Sequence, residues 1–193
     1  MRTKGAIVIL GLLCMPLNAH AEPYAGAAIG YAAVQFKESG FDFDAADTST
    51  HWFVGYATPL AWLPEQWQLG VEGGYINFGR PDDTIGDQQV EIAIDGFPVV
   101  VTGSLPLGPR LELLARAGVI FWQLDIKTEG FNFVGDDSGT DLTAGMGLAF
   151  QPPESPFRVR LAADAFAIGG EGTWSLSLGV DYRFGREGAG DEP

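Results

Sequence analysis

The chain has 193 residues, of which 25 are acidic and 11 basic, for a formal charge of −14. That balance excludes nucleic acid as a partner, because a phosphate backbone is held by clustered Lys and Arg, and it excludes simple attraction to an anionic membrane surface. The single cysteine, Cys14, falls in an N-terminal segment that reads as a cleaved export signal, so neither disulfides nor thiol chemistry are expected in the mature chain.

Arg2 and Lys4 precede an apolar run from Ala6 to Leu13, and Ala19, His20 and Ala21 form a small-x-small cleavage site. Residues 1–21 are therefore expected to be a secretory signal peptide. The run is too short for a membrane anchor, which needs about 20 apolar residues. A lipoprotein signal would need a small residue where Leu13 precedes Cys14. The mature chain then starts at Glu22 with a formal charge of −16, from 25 acidic and 9 basic residues. No later apolar stretch approaches the length of a spanning helix.

From Tyr24 onward the chain alternates. The first segment, Tyr24 to Gln35, sets Ala27, Ile29, Tyr31 and Ala33 against Gly26, Ala28 and Gly30. The second, His51 to Thr58, sets Trp52, Val54 and Tyr56 against Phe53, Gly55 and Ala57. The third, Trp67 to Phe78, sets Trp67, Leu69, Val71, Gly73 and Tyr75 against Gln68, Gly70, Glu72 and Gly74. The fourth, Val90 to Leu105, slips phase near Gly96, Phe97 and Pro98, which predicts a bulge because proline lacks a donor for a central ladder. In the fifth, Leu111 to Gln123, a stripe from Leu111 to Phe121 opposes Glu112, Arg116 and Gly118. In the sixth, Thr140 to Phe150, Leu142, Ala144, Met146, Leu148 and Phe150 oppose Thr143, Gly145 and Gly147. The seventh, Phe157 to Ala167, sets Phe157, Val159, Leu161, Ala163 and Ala165 against Arg158, Arg160 and Asp164. The last, Trp174 to Phe184, alternates without a break and is aromatic at both ends of its apolar face.

Period-two alternation marks strands with one apolar face, and about 9–11 residues suffice to cross a membrane at a tilt. A soluble sandwich or lipocalin would enclose the apolar face. Here the opposite face holds glycines and opposed charges, which suit the cramped inside of an eight-stranded barrel whose apolar side meets lipid. The expected fold is all-β: an eight-stranded antiparallel transmembrane β-barrel of up-and-down topology over residues 22–184, followed by a short acidic tail at 185–193. Short Pro-rich links (59–66, 106–110, 151–156) are expected at the periplasmic end. Longer acidic links (36–50, 79–89, 124–139) are expected outside, together with the short link 168–172.

Several runs carry a resemblance. They are Leu69 to Tyr75 with Phe78 to Arg80, Gly103 to Gly108, Leu111 to Gly118 with Trp122, Gly139 to Gly147, and Val180 to Phe184. In order, they resemble the OmpA-type transmembrane barrels of Gram-negative outer membranes, across nearly all of the mature chain. The resemblance implies residence in the cell outer membrane, and a closing aromatic (Phe184, with Tyr182) read by the barrel assembly machinery. The chain departs from OmpA proper in ending nine residues past Phe184, so tethering to peptidoglycan is not expected. It departs again in the sixth strand, which carries Gly145 and Gly147 where a second lumen acid is expected.

Glu72, Arg116, Arg160 and Asp164 are expected to form a structural charge network in the lumen, because unpaired charge in a low-dielectric interior is costly. Arg158 and Arg183 also fall on inward faces, beside Glu112 and Asp181. Lys37, Arg80 and Lys127 fall near the external strand ends, where they are candidate contacts to lipopolysaccharide phosphates. His51 is the one histidine left after signal removal; placed at the outer start of the second strand, with Ser49, Ser39 or Ser138, it is the candidate general base of a lipid A-modifying enzyme. No spacing commits any of these serines. Asp42, Asp44, Asp47, Asp136 and Asp137 are candidate Ca²⁺ ligands without an ordered loop motif. The expectation is a monomeric barrel with no catalytic residues, cofactor or metal, serving envelope integrity and external contacts to lipopolysaccharide or other molecules. A narrow gated pore for ions or small solutes is the alternative.

Overall fold

Alternating apolar residues and the lack of any helical period leave the backbone one way to satisfy its polar groups in lipid, a sheet closed on itself. The computed structural model describes residues 22–38, 41–59, 67–85, 88–128, 134–170 and 172–184. The side chains of 36–38, 41–44, 82–85, 88–91, 126–128, 134–136 and 170 lie outside the description, as do residues 1–21 and 185–193, on which the expected signal peptide and acidic tail fall.

The strands are β1 (Glu22–Glu38), β2 (Phe41–Pro59), β3 (Gln68–Asn77), β4 (Asp82–Ile85), β5 (Gln88–Pro106), β6 (Leu111–Thr128), β7 (Val134–Phe150), β8 (Phe157–Phe166) and β9 (Thr173–Arg183). Their order is β3-β2-β1-β9-β8-β7-β6-β5-β4, all pairings are antiparallel, and β3 also pairs with β5. That last pairing closes the sheet. β4 continues β3: Phe78 N–H donates to the Ile94 carbonyl and Ile92 N–H to the Pro81 carbonyl, each at 3.0 Å. The wall therefore has eight staves, one of them interrupted, and the chain is an up-and-down barrel.

The interruption is a bulge. One extra residue is taken up between the pairs Asn77↔Asp95 and Asp82↔Glu91. Gly79 sits there at φ +85°, a left-handed conformation that disfavours any side chain. Asn77 Oδ1 accepts from its N–H at 2.9 Å. The bulge expected at Gly96, Phe97 and Pro98 is absent. β5 keeps one register against β6 from Val90↔Thr128 to Pro106↔Glu112, and Ile92, Ile94, Gly96, Pro98 and Val100 all face inward. Pro98 acts more locally. Pairing with β3 skips Gly74 and Tyr75, opposite Pro98 and Phe97, and resumes unshifted at Ile76↔Gly96. Proline lacks the N–H for that rung, and its φ suits an extended strand well enough to leave the register alone.

A second correction concerns the external links. Residues 41–50, 82–85, 88–89, 124–128 and 134–139 are strand, paired with their neighbours, and β1, β2, β5, β6 and β7 run 17 to 19 residues. At roughly 3.3 Å per residue these staves rise far beyond the bilayer. The acidic segments are the barrel's own upper wall.

The outward stripe is apolar at membrane height, with Trp52 63%, Ile29 60%, Leu142 71% and Leu178 56% exposed. It is bounded below by Phe157, Tyr182 and Phe184, whose rings stack edge to face at 5.2 and 4.9 Å. Above, Tyr31 packs on Trp174 and Tyr75 on Phe97, with centroids 6.0 and 5.2 Å apart. Higher still the outward residues are Gln35, Thr48, Asn77, Asp95, Gln123 and Asp125. The inward stripe changes in the opposite sense, from charged and small below to apolar above. Both faces thus exchange polarity at the upper aromatic belt.

Asp95 lies above that belt, where burial and the neighbouring Asp125 carboxylate push its pKa up from the usual value. A raised pKa means that ionisation weakens the fold, a loss that grows as pH rises from the unfolded-state value through the folded one. Asp95→Asn is therefore expected to raise stability slightly at pH 7 and to lose that advantage below about pH 3.8, where the parent is protonated in both states. Urea unfolding at the two pH values measures it; a variant less stable than the parent at pH 7 overturns it.

Candidate functional site: the lumen and the external rim

Nine inward side chains of the lower lumen form one alternating line of acids and bases. Glu22 meets Arg183 at 3.0 Å, Arg183 meets Glu112 at 3.2 Å, and Glu112 meets Arg158 at 2.9 Å. Arg158 and Arg160 share Asp181 at 3.1 and 2.7 Å. Arg160 then meets Glu72 at 2.7 Å, Glu72 meets Arg116 at 3.2 Å, and Arg116 meets Asp164 at 2.6 Å. Parity turns all nine inward: each member occupies an inward position on β1, β3, β6, β8 or β9.

Glu72 is the most engaged member. It is 2% exposed, and besides the two guanidiniums it accepts from Tyr24 Oη at 3.0 Å. The Arg160 guanidinium also stands 4.3 Å from the Phe53 ring centroid and 5.0 Å from that of Tyr24, so its faces as well as its edge are occupied. The lumen glycines are sockets for these bulky groups. A Cβ on Gly145 would strike the Asp164 carboxylate, one on Gly55 the Tyr24 ring, and one on Gly26 the Phe53 ring at 2.6 Å. Gly145 therefore stands where an acid was expected because the acid comes from the next strand and needs the space.

Two small cavities, about 30 and 20 Å³, break the packing of this layer. Each has room for one or two waters. The second adjoins His51, Glu72, Arg116 and Asp164.

Above lies the apolar layer: Ala32, Val34, Ile76, Phe78, Ile92, Ile94, Ile120, Trp122, Leu124, Phe166 and Ile168 form one buried cluster. Phe78 meets Phe166 edge to face at 5.0 Å. Asp141 is one of the polar residues at this height. Its Oδ2 accepts from Trp122 Nε1 at 2.7 Å and from Gly169 N–H at 3.0 Å. It thereby ties the short turn Ile168–Gly170, with Ile168 fully buried, to β6 and β7.

The other candidates are dispersed. His51 is not at the outer start of β2 but well inside it, facing the lumen beside Phe53 at 5.2 Å; its Nε2 is buried without a partner among the described residues. The strand begins ten residues earlier, at Phe41, which is why the placement moved. Ser49 is buried on the same inward face, Ser138 is exposed on β7, and Ser39 lies outside the described residues. Arg80 is exposed at the bulge, where its N–H donates to Asp47 Oδ2 at 2.7 Å. Lys37 and Lys127 stand opposite Asp42 and Glu91 in register, their side chains outside the description. Of the candidate Ca²⁺ ligands, Asp47 and Asp137 accept from the N–H of the following residue at 2.6 and 2.8 Å; the side chains of Asp42, Asp44 and Asp136 lie outside the description. Among the described residues no three His, Cys, Asp or Glu converge to hold a metal.

Sequence reasoning missed Glu22, Tyr24 and the whole apolar layer as lumen elements. A signal for the layer existed: Ile92 and Ile94 alternate with Glu91, Ala93 and Asp95, so the inward stripe was already apolar there.

A closed antiparallel barrel with an apolar girdle, aromatic belts at both rims and its charges turned inward is an integral protein of the outer membrane. Its sequence matches the family described as "Outer membrane protein beta-barrel domain" over residues 5–184, and the chain belongs to that family. No curated protein matches it. Among solved structures it is similar to Ail, the attachment invasion locus protein of Yersinia pestis, with 19% identity over 86% of this chain and 99% of that one, at a TM-score of 0.52. It is similar also to the Neisserial surface protein NspA, with 12% identity over 85% of this chain and 99% of that one (TM-score 0.54). OprG of Pseudomonas aeruginosa matches with 14% identity over 86% of this chain and 96% of that one (TM-score 0.50). At these identities the likeness is one of fold.

Proposed function

We propose that the protein is a non-catalytic, plugged outer-membrane barrel that contributes to envelope integrity and uses its external rim to contact lipopolysaccharide or other outside molecules. The observation that carries this reading is the double filling of the lumen. A line of ion pairs occupies the lower half and a packed apolar cluster the upper half, with cavities of only about 30 and 20 Å³ between side chains. Opening a water path would require separating buried charges and wetting an apolar core together, and each is costly. The inward aim of His51 supports a non-catalytic role, since its imidazole faces Phe53 and the lumen rather than lipid. Lys37, Arg80 and Lys127 remain the proposed phosphate contacts. Tyr182 and Phe184, on the periplasmic girdle, remain the proposed signal to the assembly machinery, and the barrel is proposed to act as a monomer.

Recordings from the purified protein in planar bilayers are expected to show no unitary conductance. Stable channel events would overturn the plugged lumen in favour of a narrow pore. Lipid A from cells with and without the protein is expected to give the same mass spectrum. An acyl-chain change that disappears in His51→Ala would make the protein an enzyme.

A further inference from the structure

The upper wall is open above β8 and β9. The topmost rung between β7 and β8 is Thr143↔Phe166, capped by the Ala167 N–H donating to the Leu142 carbonyl at 3.0 Å. β7 continues upward to Val134, paired with β6 as far as Lys127↔Val134. β9 stops equally low, its last rung with β1 being Val34↔Thr173. Among the described residues, nothing pairs with the other side of Val134–Asp141. A notch eight residues tall therefore opens above β8 and β9, with the β7 edge as one wall.

The direction of the free groups follows from Leu142. Its carbonyl faces β8, and backbone groups alternate sides along a strand, so Thr140, Ser138 and Asp136 turn their N–H and C=O into the notch. Such an edge is a template for an added strand, and proteins commonly blunt edges with charge. Here the blunting has one sign. Asp136 and Asp137 lie on the edge, and the Asp137 carboxylate covers the Ser138 N–H at 2.8 Å. Across the external segments 36–50, 79–95, 124–141 and 168–172 there are 15 acidic residues and 3 basic ones, Lys37, Arg80 and Lys127. A second copy of the same edge would set aspartate against aspartate. A strand carrying Lys or Arg meets complementary charge, which favours encounter and register alike.

We infer that the β7 edge from Val134 to Asp141 is a docking site for an extended, basic segment of an external protein, which adds as a strand in the notch above β8. Main-chain hydrogen bonds to Thr140 and to the Ser138 carbonyl hold the segment, and the acidic excess of the external rim selects its charge. This inference rests on the external rim being an interaction surface and names the chemistry of the partner.

The test uses the full barrel in lipid nanodiscs and a fluorescein-labelled octapeptide alternating Lys with Val and Thr, read by anisotropy. Binding is expected, with affinity falling at least tenfold for Thr140→Pro. That change removes an N–H on the open side only and leaves the β6 ladder intact, as an unaltered heat-induced gel shift checks. The same peptide N-methylated at alternate amides is expected to bind at least tenfold more weakly to the unaltered protein, and a Glu-for-Lys peptide not at all. The N-methylated peptide decides the matter even if Thr140→Pro does not fold. Equal binding of the parent and N-methylated peptides would reduce the effect to charge attraction and overturn strand addition; so would no binding of the parent peptide. Channel events in the bilayer recordings bear on the plugged lumen alone, so the two failures are distinguishable.

Discussion

Glu72→Gln is expected to destabilise the barrel by about 3–5 kcal/mol, the usual cost of breaking a buried ion pair from one side. Glu72 is 2% exposed and holds Arg116 at 3.2 Å and Arg160 at 2.7 Å, so the amide leaves two buried guanidiniums short of negative charge. The Tyr24 and Phe53 rings against the Arg160 guanidinium limit its movement toward other partners. Glu22→Gln provides the contrast. Its side chain is 24% exposed at the periplasmic mouth, where water stands in for the lost charge, and a cost of roughly 0–1 kcal/mol is expected. Urea unfolding in lipid vesicles, followed by tryptophan fluorescence, compares the two. Equal losses would contradict the gradient of burial along the line.

Phe78→Ala is expected to cost a similar amount, about 3–5 kcal/mol, for a different reason. Phe78 is fully buried in the apolar layer, edge to face with Phe166, and its own N–H is tied to the Ile94 carbonyl at the start of the bulge. The adjoining β5 is held to β6 by a continuous ladder, so that wall cannot collapse into the space a phenyl ring leaves. The external wall above it should also become more sensitive to added protease. Trimming the lipid-facing Val101, 57% exposed, to alanine is expected to change stability far less, since lipid tails fill the gap. Loss of stability below 1 kcal/mol for Phe78→Ala, by the same unfolding assay, would mean that the upper layer is not a packed core.

The lower barrel was legible in the sequence because its two stripes differ so sharply. Trp174 to Phe184 shows an unbroken alternation, and Arg116, Arg158, Arg160 and Asp164 fall on its polar phase in neighbouring strands. The upper barrel was not, because there the outer face is acidic and the inner one apolar. Acidic, Gly-rich segments such as 124–139 have the composition of loops, yet Asp125 and Leu124 alternate as strand residues do. Pro98 misled for a related reason: a proline reads as a break in pattern, while its effect was confined to rungs with one neighbour. Pairings of particular acids with particular bases depend on barrel tilt and stagger, which fix who sits across the lumen, and alternation carries no trace of that. Glu22 and Arg183 illustrate the point, since they come from the first and last strands of the barrel.

The line of ion pairs also fixes how deep the molecule sits. Five carboxylates and four guanidiniums leave the lower lumen with a formal charge of only −1. Much of the acidic surplus therefore stands on the far side of the membrane, giving the barrel a strong dipole along the membrane normal. Sinking by one rung would drag Asp95 and Asp125 toward hydrocarbon, at a cost that is about 0–1 kcal/mol per charge near the interface of a barrel and grows with depth. Rising by one would pull Phe157, Tyr182 and Phe184 out of the inner interface they prefer. Held from both sides, the notch beside β7 is kept at a constant height above the lipid surface.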